Sequence, residues 1–221
     1  CNASGACSFH YGPTRRYVEA LRVLLPDGDT LVLRRGRQRA MGRAFRLTTE
    51  TGRIIQGPLP AYTMPAVKNA SGIFAADNMD LVDLFIGAEG VPGIISEIEL
   101  RLIPLPLAKW GVTAFFPAED NALRFVRAVR GEPVSEFATL AGARPVAIEF
   151  FDHCALDLLR RQKASNPAFA EIPDLPASFH TAIYLEYHGD SEDSVGAAVT
   201  AMSAILPACG GSEEATWIAT G

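Results

Sequence analysis

The chain has 221 residues, 48% of them hydrophobic and 20% charged, with a formal net charge of -5. That is enough apolar material for a packed core, so wholesale disorder is excluded, and at roughly 100–200 residues per domain it makes one large domain or two small ones. The acidic balance does not attract a phosphate backbone, and basic residues cluster only at Arg15–Arg16 and Arg34–Arg39, which sets nucleic-acid binding aside.

The first residues (Cys1, Asn2, Ala3, Ser4, Gly5) carry neither the basic start nor the apolar stretch of a signal peptide. The first residue is not Met, so the expectation is a chain that starts inside a longer polypeptide or after processing. No apolar run nears the ~18 residues of a membrane span. Cys1, Cys7, Cys154 and Cys209 form no CxxC pair and no even framework. That points away from a zinc ribbon or a disulfide scaffold and towards a reducing, cytoplasmic home. The sequons Asn2-Ala3-Ser4 and Asn69-Ala70-Ser71 then read as chance matches.

Tyr17–Leu25 reads as a strand with Leu21, Val23 and Leu25 on one face. Pro26-Asp27-Gly28-Asp29 turns it back into a second strand, Thr30–Arg34. A weaker pair flanks Thr51-Gly52, with Phe45–Thr48 before it and Arg53–Ile55 after it. The prolines of Gln56–Pro65 make a loop. Asn78 or Asp80 is the expected cap of a short helix through Leu81, Leu84 and Phe85, which Gly87, Gly90 and Gly93 end. Ile94–Leu102 is the clearest strand, with Ile94, Ser96, Ile98, Leu100 and Leu102 on one side. Pro104 and Pro106 stop it and mark a domain boundary, giving domains of residues 1–106 and 107–221.

Beyond Lys109 the pattern changes. Strands at Gly111–Phe116, Val146–Phe151 and His180–Tyr187 are each followed by a helix: Glu119–Arg130, His153–Gln162 and Ser191–Leu206. The second helix turns Ala155, Leu158 and Leu159 inward and places Cys154 in the core. Asp190 or Ser191 caps the third. Such an order builds either a parallel α/β sheet or a ferredoxin-like antiparallel sheet backed by helices, and connection lengths do not separate the two.

Two stretches can bring backbone amides close to a ligand. One is Gly87-Ala88-Glu89-Gly90-Val91-Pro92-Gly93-Ile94-Ile95-Ser96. Its helix–turn–strand order is not the Rossmann fingerprint, and by spacing alone it reads as a helix stop followed by a turn. The other is Asn2-Ala3-Ser4-Gly5-Ala6-Cys7-Ser8-Phe9-His10-Tyr11-Gly12, whose bland reading is a solvated loop. His10, His153, His180 and His188 show no metal-ligand spacing and read as surface or capping histidines. Glu186 and His188 share a strand, but without a third partner they make no catalytic unit. Cys1 and Cys7 lack further partners for an iron–sulfur cluster.

The run Asn2-Ala3-Ser4-Gly5-Ala6 … Tyr11-Gly12-Pro13-Thr14 … Tyr17-Val18, then Leu21-Arg22-Val23-Leu24-Leu25-Pro26-Asp27-Gly28, resembles the middle of the FAD-binding domain of the vanillyl-alcohol oxidase and p-cresol methylhydroxylase superfamily. Lys68-Asn69-Ala70-Ser71-Gly72, Asp83-Leu84-Phe85-Ile86-Gly87-Ala88-Glu89-Gly90 and Gly93-Ile94-Ile95-Ser96-Glu97 resemble that domain's closing signature. Within the superfamily the likeness is to the D-lactate, glycolate and D-2-hydroxyglutarate dehydrogenase group. Trp110 to Ala204, with Ile148-Glu149-Phe150-Phe151-Asp152, resembles the start of that group's FAD-linked oxidase C-terminal domain.

The resemblance implies an α+β chain. Its first part would be the second half of the FAD-binding domain, an antiparallel sheet with flanking helices, and the rest part of a ferredoxin-like α+β substrate domain. It implies FAD as cofactor, with Ser4, Gly5, Gly12, Glu89, Gly90, Gly93, Ile94 and Ile95 lining it, and a small 2-hydroxy acid as substrate. It leaves the electron acceptor open, an iron–sulfur protein or domain being one choice. Val91, Pro92 and Ser96 depart from the family's usual Thr, Leu and Thr; Pro92 removes an N–H and stiffens the turn. The family's pyrophosphate loop and its histidine-rich substrate and metal segment match nothing here, so no catalytic residue or metal ligand is assigned. Rival readings are a non-catalytic α+β interaction subunit and another superfamily enzyme, such as an aryl-alcohol oxidase or an alkyl-glycerone-phosphate synthase.

Overall fold

A computed structural model describes residues 2–70, 72–132 and 144–221. The chain forms two compact units. The first comprises Cys1–Gly5 with Gly12–Pro104, the second Ala6–Tyr11 with Leu105–Gly221.

In the first unit, β1 (Val18–Leu24) and β2 (Thr30–Arg34) form the expected hairpin, pairing Leu21 with Leu33 and Val23 with Leu31. Gly28 closes it at φ 85, a backbone angle at which a side chain is strained. A second hairpin joins β3 (Ala44–Thr48) to β4 (Ile54–Pro58). β5 (Ile94–Leu100) pairs antiparallel with the other edge of β1, so the sheet order is β2-β1-β5. Leu21, Val23, Leu31 and Leu33 are buried against Leu81, Phe85 and Ile86 of the segment that precedes β5. Burying a side chain of that size is worth about 1.5–3 kcal/mol, so this packing anchors the loop that follows.

Two details differ from the sequence reading. The expected short helix is a single 3-10 turn, Leu81–Leu84, and neither candidate caps it. Asp80 stands at the cap position but accepts instead from Gly36 N, and Asn78, at φ 55, accepts from Gly42 N. Both side chains tie distant turns to this segment. The face of β5 carrying Ile94, Ile98 and Leu100 is exposed, and Ile95 is the residue of this strand that packs against the core of the unit.

The second unit begins with a short helix, α1 (Ser8–Tyr11). β6 (Ala108–Phe116), α2 (Glu119–Val129), β7 (Ala147–Phe151), α3 (His153–Ser165), β8 (Thr181–Gly189), α4 (Glu192–Ser203) and β9 (Trp217–Thr220) follow. The sheet order is β7-β8-β6-β9 and every pair is antiparallel, which decides between the two architectures left open above. This is the ferredoxin-like strand order, with α3 inserted between its second and third strands. α2 and α4 bury Phe125, Val129, Val195 and Met202 against Val112, Phe116, Ile183 and Leu185 on one face of the sheet. Ser191 caps α4 by accepting from Ser194 N, and Asp152 caps α3 by accepting from Ala155 N.

α3 lies on the other face, where Leu156 packs with Phe115, Leu175 and Ala182. Its phase corrects two expectations. Leu156 is the residue that points inward, so Leu158, two residues on and about 200° around the helix, is exposed, and Cys154 is exposed rather than in the core. Among the described residues no helix is long and apolar enough to cross a membrane.

Candidate functional site

In the first unit an ionic knot, buried at Asp83 and partly buried at Arg15 and Arg35, builds the candidate cradle. Asp83 accepts from Arg35 through both carboxylate oxygens, at 3.0 and 3.2 Å, and lies 3.4 Å from Arg15 Nη1. The two guanidinium groups then satisfy carbonyls on three segments. Arg15 donates to Asp83 O at 2.6 Å and to Ile86 O at 2.7 Å; Arg35 donates to Val18 O at 2.7 Å and to Arg15 O at 3.0 Å. Burial pulls the Arg15 guanidinium below its usual range, opposed by Asp83, whereas the hydrogen bonds to Asp83 hold Arg35 above it. Arg15 also lies over the Phe74 ring, 4.6 Å from its centre.

The knot brings the two glycine-bearing stretches together. Asn2 is buried and accepts from Arg15 N at 2.9 Å, and Thr14 donates to Ala3 O through both its amide and its hydroxyl. A Cβ added at Gly87 would stand 3.1 Å from Ala70 O and 3.2 Å from Asn2 Cβ. Both Asn-Ala-Ser-Gly words therefore reach the Gly87 loop, although Ser71 lies outside the described residues.

The eight candidate cofactor positions divide by environment. At Gly5 and Gly90 a Cβ would meet nothing within 4 Å, so the backbone there is open. Glu89 and Gly90 have φ 55 and 81, and Val91 N donates to Ala88 O across them; they form the exposed tip of a tight turn. Gly12, Gly93, Ile94 and Ile95 serve the scaffold. Gly93 N donates to Gly90 O, and its Cα presses on Val23 Cγ1 and Leu24 O, at 2.7 and 2.8 Å from where a Cβ would sit. Ile94 and Ile95 pair with Leu24 and Val23 in the β1–β5 ladder. Gly12 is packed against the Arg16 side chain. Ser4 is half-buried at the start of the chain.

The second unit holds a polar cluster that spacing did not reveal. Tyr184, Glu186 and His188 alternate along β8 and so share one face. His188 Nε2 bonds Glu186 Oε1 at 2.6 Å, and its Nδ1 bonds Tyr11 Oη at 2.7 Å. Tyr184 donates to Glu186 Oε2 at 3.1 Å, and the Cys7 thiol to Glu186 Oε1 at 3.6 Å. Burial favours the neutral Glu186 acid, but bonds from His188, Tyr184 and Cys7 outweigh it and leave the carboxyl below its usual range. Burial, reinforced by Glu186, pushes the Cys7 thiol up.

His188 is thus no surface histidine; its third partner comes from α1, 177 residues away in sequence. Gly111, opposite Glu186 on β6, leaves room for Tyr184, whose hydroxyl would stand 3.0 Å from a Cβ there. Tyr184 also lines a cavity of about 450 Å³ walled by Phe115, Phe151, Leu156, Leu159 and Trp217. Chemically, the cluster can pass a proton along Tyr11, His188, Glu186 and Tyr184, or hold a cation.

No family model matches the chain. In sequence it is 28% identical to a probable mitochondrial D-lactate dehydrogenase of Danio rerio, over 86% of this chain and 28% of that protein. It is 26% identical to a D-2-hydroxyglutarate dehydrogenase of Pantoea ananatis, over 93% of this chain and 21% of that protein. It is also 26% identical to the glycolate oxidase subunit GlcD of Bacillus subtilis, over 86% and 30%. The chain therefore spans under a third of the length of these relatives. A solved alkyldihydroxyacetonephosphate synthase shares its fold, with TM-score 0.55 and 17% identity over 99% of this chain and 33% of that one.

Proposed function

Because this chain groups in sequence with the FAD-linked oxidases of the vanillyl-alcohol oxidase and p-cresol methylhydroxylase superfamily, in the D-lactate, glycolate and D-2-hydroxyglutarate dehydrogenase group, we propose that it is part of an FAD-dependent dehydrogenase of a small 2-hydroxy acid. Residues 1–106 are then the C-terminal half of the FAD-binding domain, and residues 107–221 the N-terminal part of the substrate domain. The observation that carries this reading is the convergence, on one partly buried knot, of the Asn2–Gly5 stretch and the Gly87–Gly90 loop.

The residues present fit a dinucleotide. Backbone at Gly5, Gly72 and Gly90 is open where a side chain would otherwise stand, and the Glu89–Gly90 turn offers main-chain amides at an exposed tip. When bound, FAD supplies the redox chemistry, its ring accepting the hydride of the hydroxy acid. This chain's residues bind and orient. Arg15, Asp83 and Arg35 hold the two strips of backbone in register, and Ser4, Gly5, Glu89 and Gly90 lie along the cofactor. Gly12, Gly93, Ile94 and Ile95 keep the turn and strand in place beneath it. A cytoplasmic setting belongs to the same proposal, supported by the free thiols of Cys7 and Cys154 among the described residues.

The complete polypeptide should carry a flavin absorption spectrum and reduce a dye with D-lactate, glycolate or D-2-hydroxyglutarate. A polypeptide that expresses folded without flavin, and takes none up on titration, would overturn the reading. The chain of 221 residues alone should bind FAD weakly and turn over none of these acids; submicromolar affinity would show that the cradle is complete within it.

A further inference from the structure

We propose that Cys7, Glu186 and His188 form a binding site for a zinc-class divalent cation within the second unit, independent of any flavin. The three side chains offer a thiol, a carboxylate and an imidazole whose ligand atoms all lie within 4.8 Å of one another. A soft sulfur with a nitrogen and a single oxygen suits zinc and its neighbours and disfavours calcium or magnesium, which take oxygen.

The spacings are close to what the ion needs. Tetrahedral bonds of about 2.0–2.3 Å put neighbouring ligand atoms roughly 3.3–3.5 Å apart. Cys7 Sγ is 3.6 Å from Glu186 Oε1, so that edge is already open to the right span. The 2.6 Å contact between Glu186 Oε1 and His188 Nε2 must widen, as the ion replaces the hydrogen bond between them, and the Cys7–His188 edge lies within 4.8 Å.

The outer shell is in place too. A ligating histidine holds its ring by bonding through its other nitrogen. With Nε2 on the metal, the imidazole takes up the tautomer whose single proton is on Nδ1 rather than Nε2, so that no proton leaves the ring, and Nδ1 donates to Tyr11 Oη, 2.7 Å away. Tyr184 donates to the second carboxylate oxygen of Glu186 at 3.1 Å and so fixes which oxygen points inward. Gly111 makes room for that tyrosine.

Charge and protons balance. The ion displaces the thiol proton, which leaves for solvent, and binds a thiolate, a carboxylate and a neutral imidazole. The sum is a neutral site, the form tolerated in a half-buried pocket. Three protein ligands leave a fourth position for water or for a ligand oxygen.

The test is titration of the whole chain with Co²⁺ as the probe and Zn²⁺ as the competitor. Cys1→Ser is built into the background so that the terminal cysteine does not report. The expected result is saturation at one equivalent, a sulfur-to-cobalt charge-transfer band with tetrahedral ligand-field bands, release of close to one proton, and loss of the bands on adding Zn²⁺. Cys7→Ser should abolish the charge-transfer band, and Tyr11→Phe should weaken binding about 10-fold or more while keeping it. Cys154→Ser, which dismantles the exposed Asp152–His153–Cys154 group, should change nothing. Circular dichroism checks that each variant is folded. No saturable binding below millimolar Co²⁺, or a band that survives Cys7→Ser and vanishes in Cys154→Ser, would overturn the proposal.

Discussion

Asp83→Ala is the perturbation that most directly probes how the candidate cradle is held. The carboxylate side chain is 11% exposed and its partners Arg15 and Arg35 are 15% and 26% exposed, so none of the three is well hydrated. Exposed ion pairs contribute little, but removing one partner of a buried pair leaves uncompensated charge and costs about 3–5 kcal/mol. Here the loss leaves two guanidinium groups facing each other, and their hydrogen bonds to Arg15 O, Val18 O, Asp83 O and Ile86 O bear the repulsion. With a urea slope of about 1–3 kcal/mol per M, the unfolding midpoint of the first unit should fall by roughly 2 M. Near-ultraviolet circular dichroism against urea measures it. Arg35→Met combined with Asp83→Ala should cost less than the sum of the two, because one stranded charge is removed. Glu99→Gln serves as control, since the Arg34–Glu99 pair is about half exposed on both sides and its loss should barely move the curve. A midpoint shift for Asp83→Ala as small as that of the control would refute the view that this knot organises the unit.

Gly87→Ala should destabilise the first unit by about 1–2 kcal/mol, since φ 79 disfavours a Cβ that would also crowd Ala70 O and Asn2; in the complete polypeptide it should also speed FAD loss, followed by flavin fluorescence. Gly90→Ala meets no neighbour, so it should cost the chain only the backbone strain of φ 81, and a larger drop in flavin retention than in stability would place the cofactor at that turn. Asp29 is held below the usual carboxylate range by hydrogen bonds from Thr49 and Thr51, which outweigh burial, and by the Thr30 amide. Its stabilising effect is therefore present above about pH 4 and lost as the pH falls through the depressed folded value, so the gap between wild type and Asp29→Asn should shrink on acidification in urea melts at pH 7 and pH 3. Phe125→Ala empties a fully buried position between α2 and the sheet and should cost about 3–5 kcal/mol in the second unit; a cost below 1 kcal/mol would contradict the packing of that face.

Local chemistry made the elements legible in the amino-acid sequence. Pro26-Asp27-Gly28 marks a turn because proline and glycine constrain or free the backbone wherever they stand, and the alternation of Leu21, Val23 and Leu25 marks a strand because side chains point to opposite faces. The same local signals placed α2, α3 and α4, and the order of short motifs from Asn2 to Glu97 pointed to the flavoprotein superfamily.

What those signals do not contain is distance between segments. The antiparallel order β7-β8-β6-β9 follows from how three amphipathic helices share the two faces of one sheet. The bonding of Arg15 to Asp83, 68 residues on, and of Tyr11 to His188, 177 residues on, arises only when burial makes unpaired polar groups costly and the fold puts their partners within reach. For the same reason Gly90 and Gly93 look alike in sequence and differ in the structure. One stands at an open turn and the other beneath a neighbouring strand, a difference set by β1 rather than by the glycines themselves.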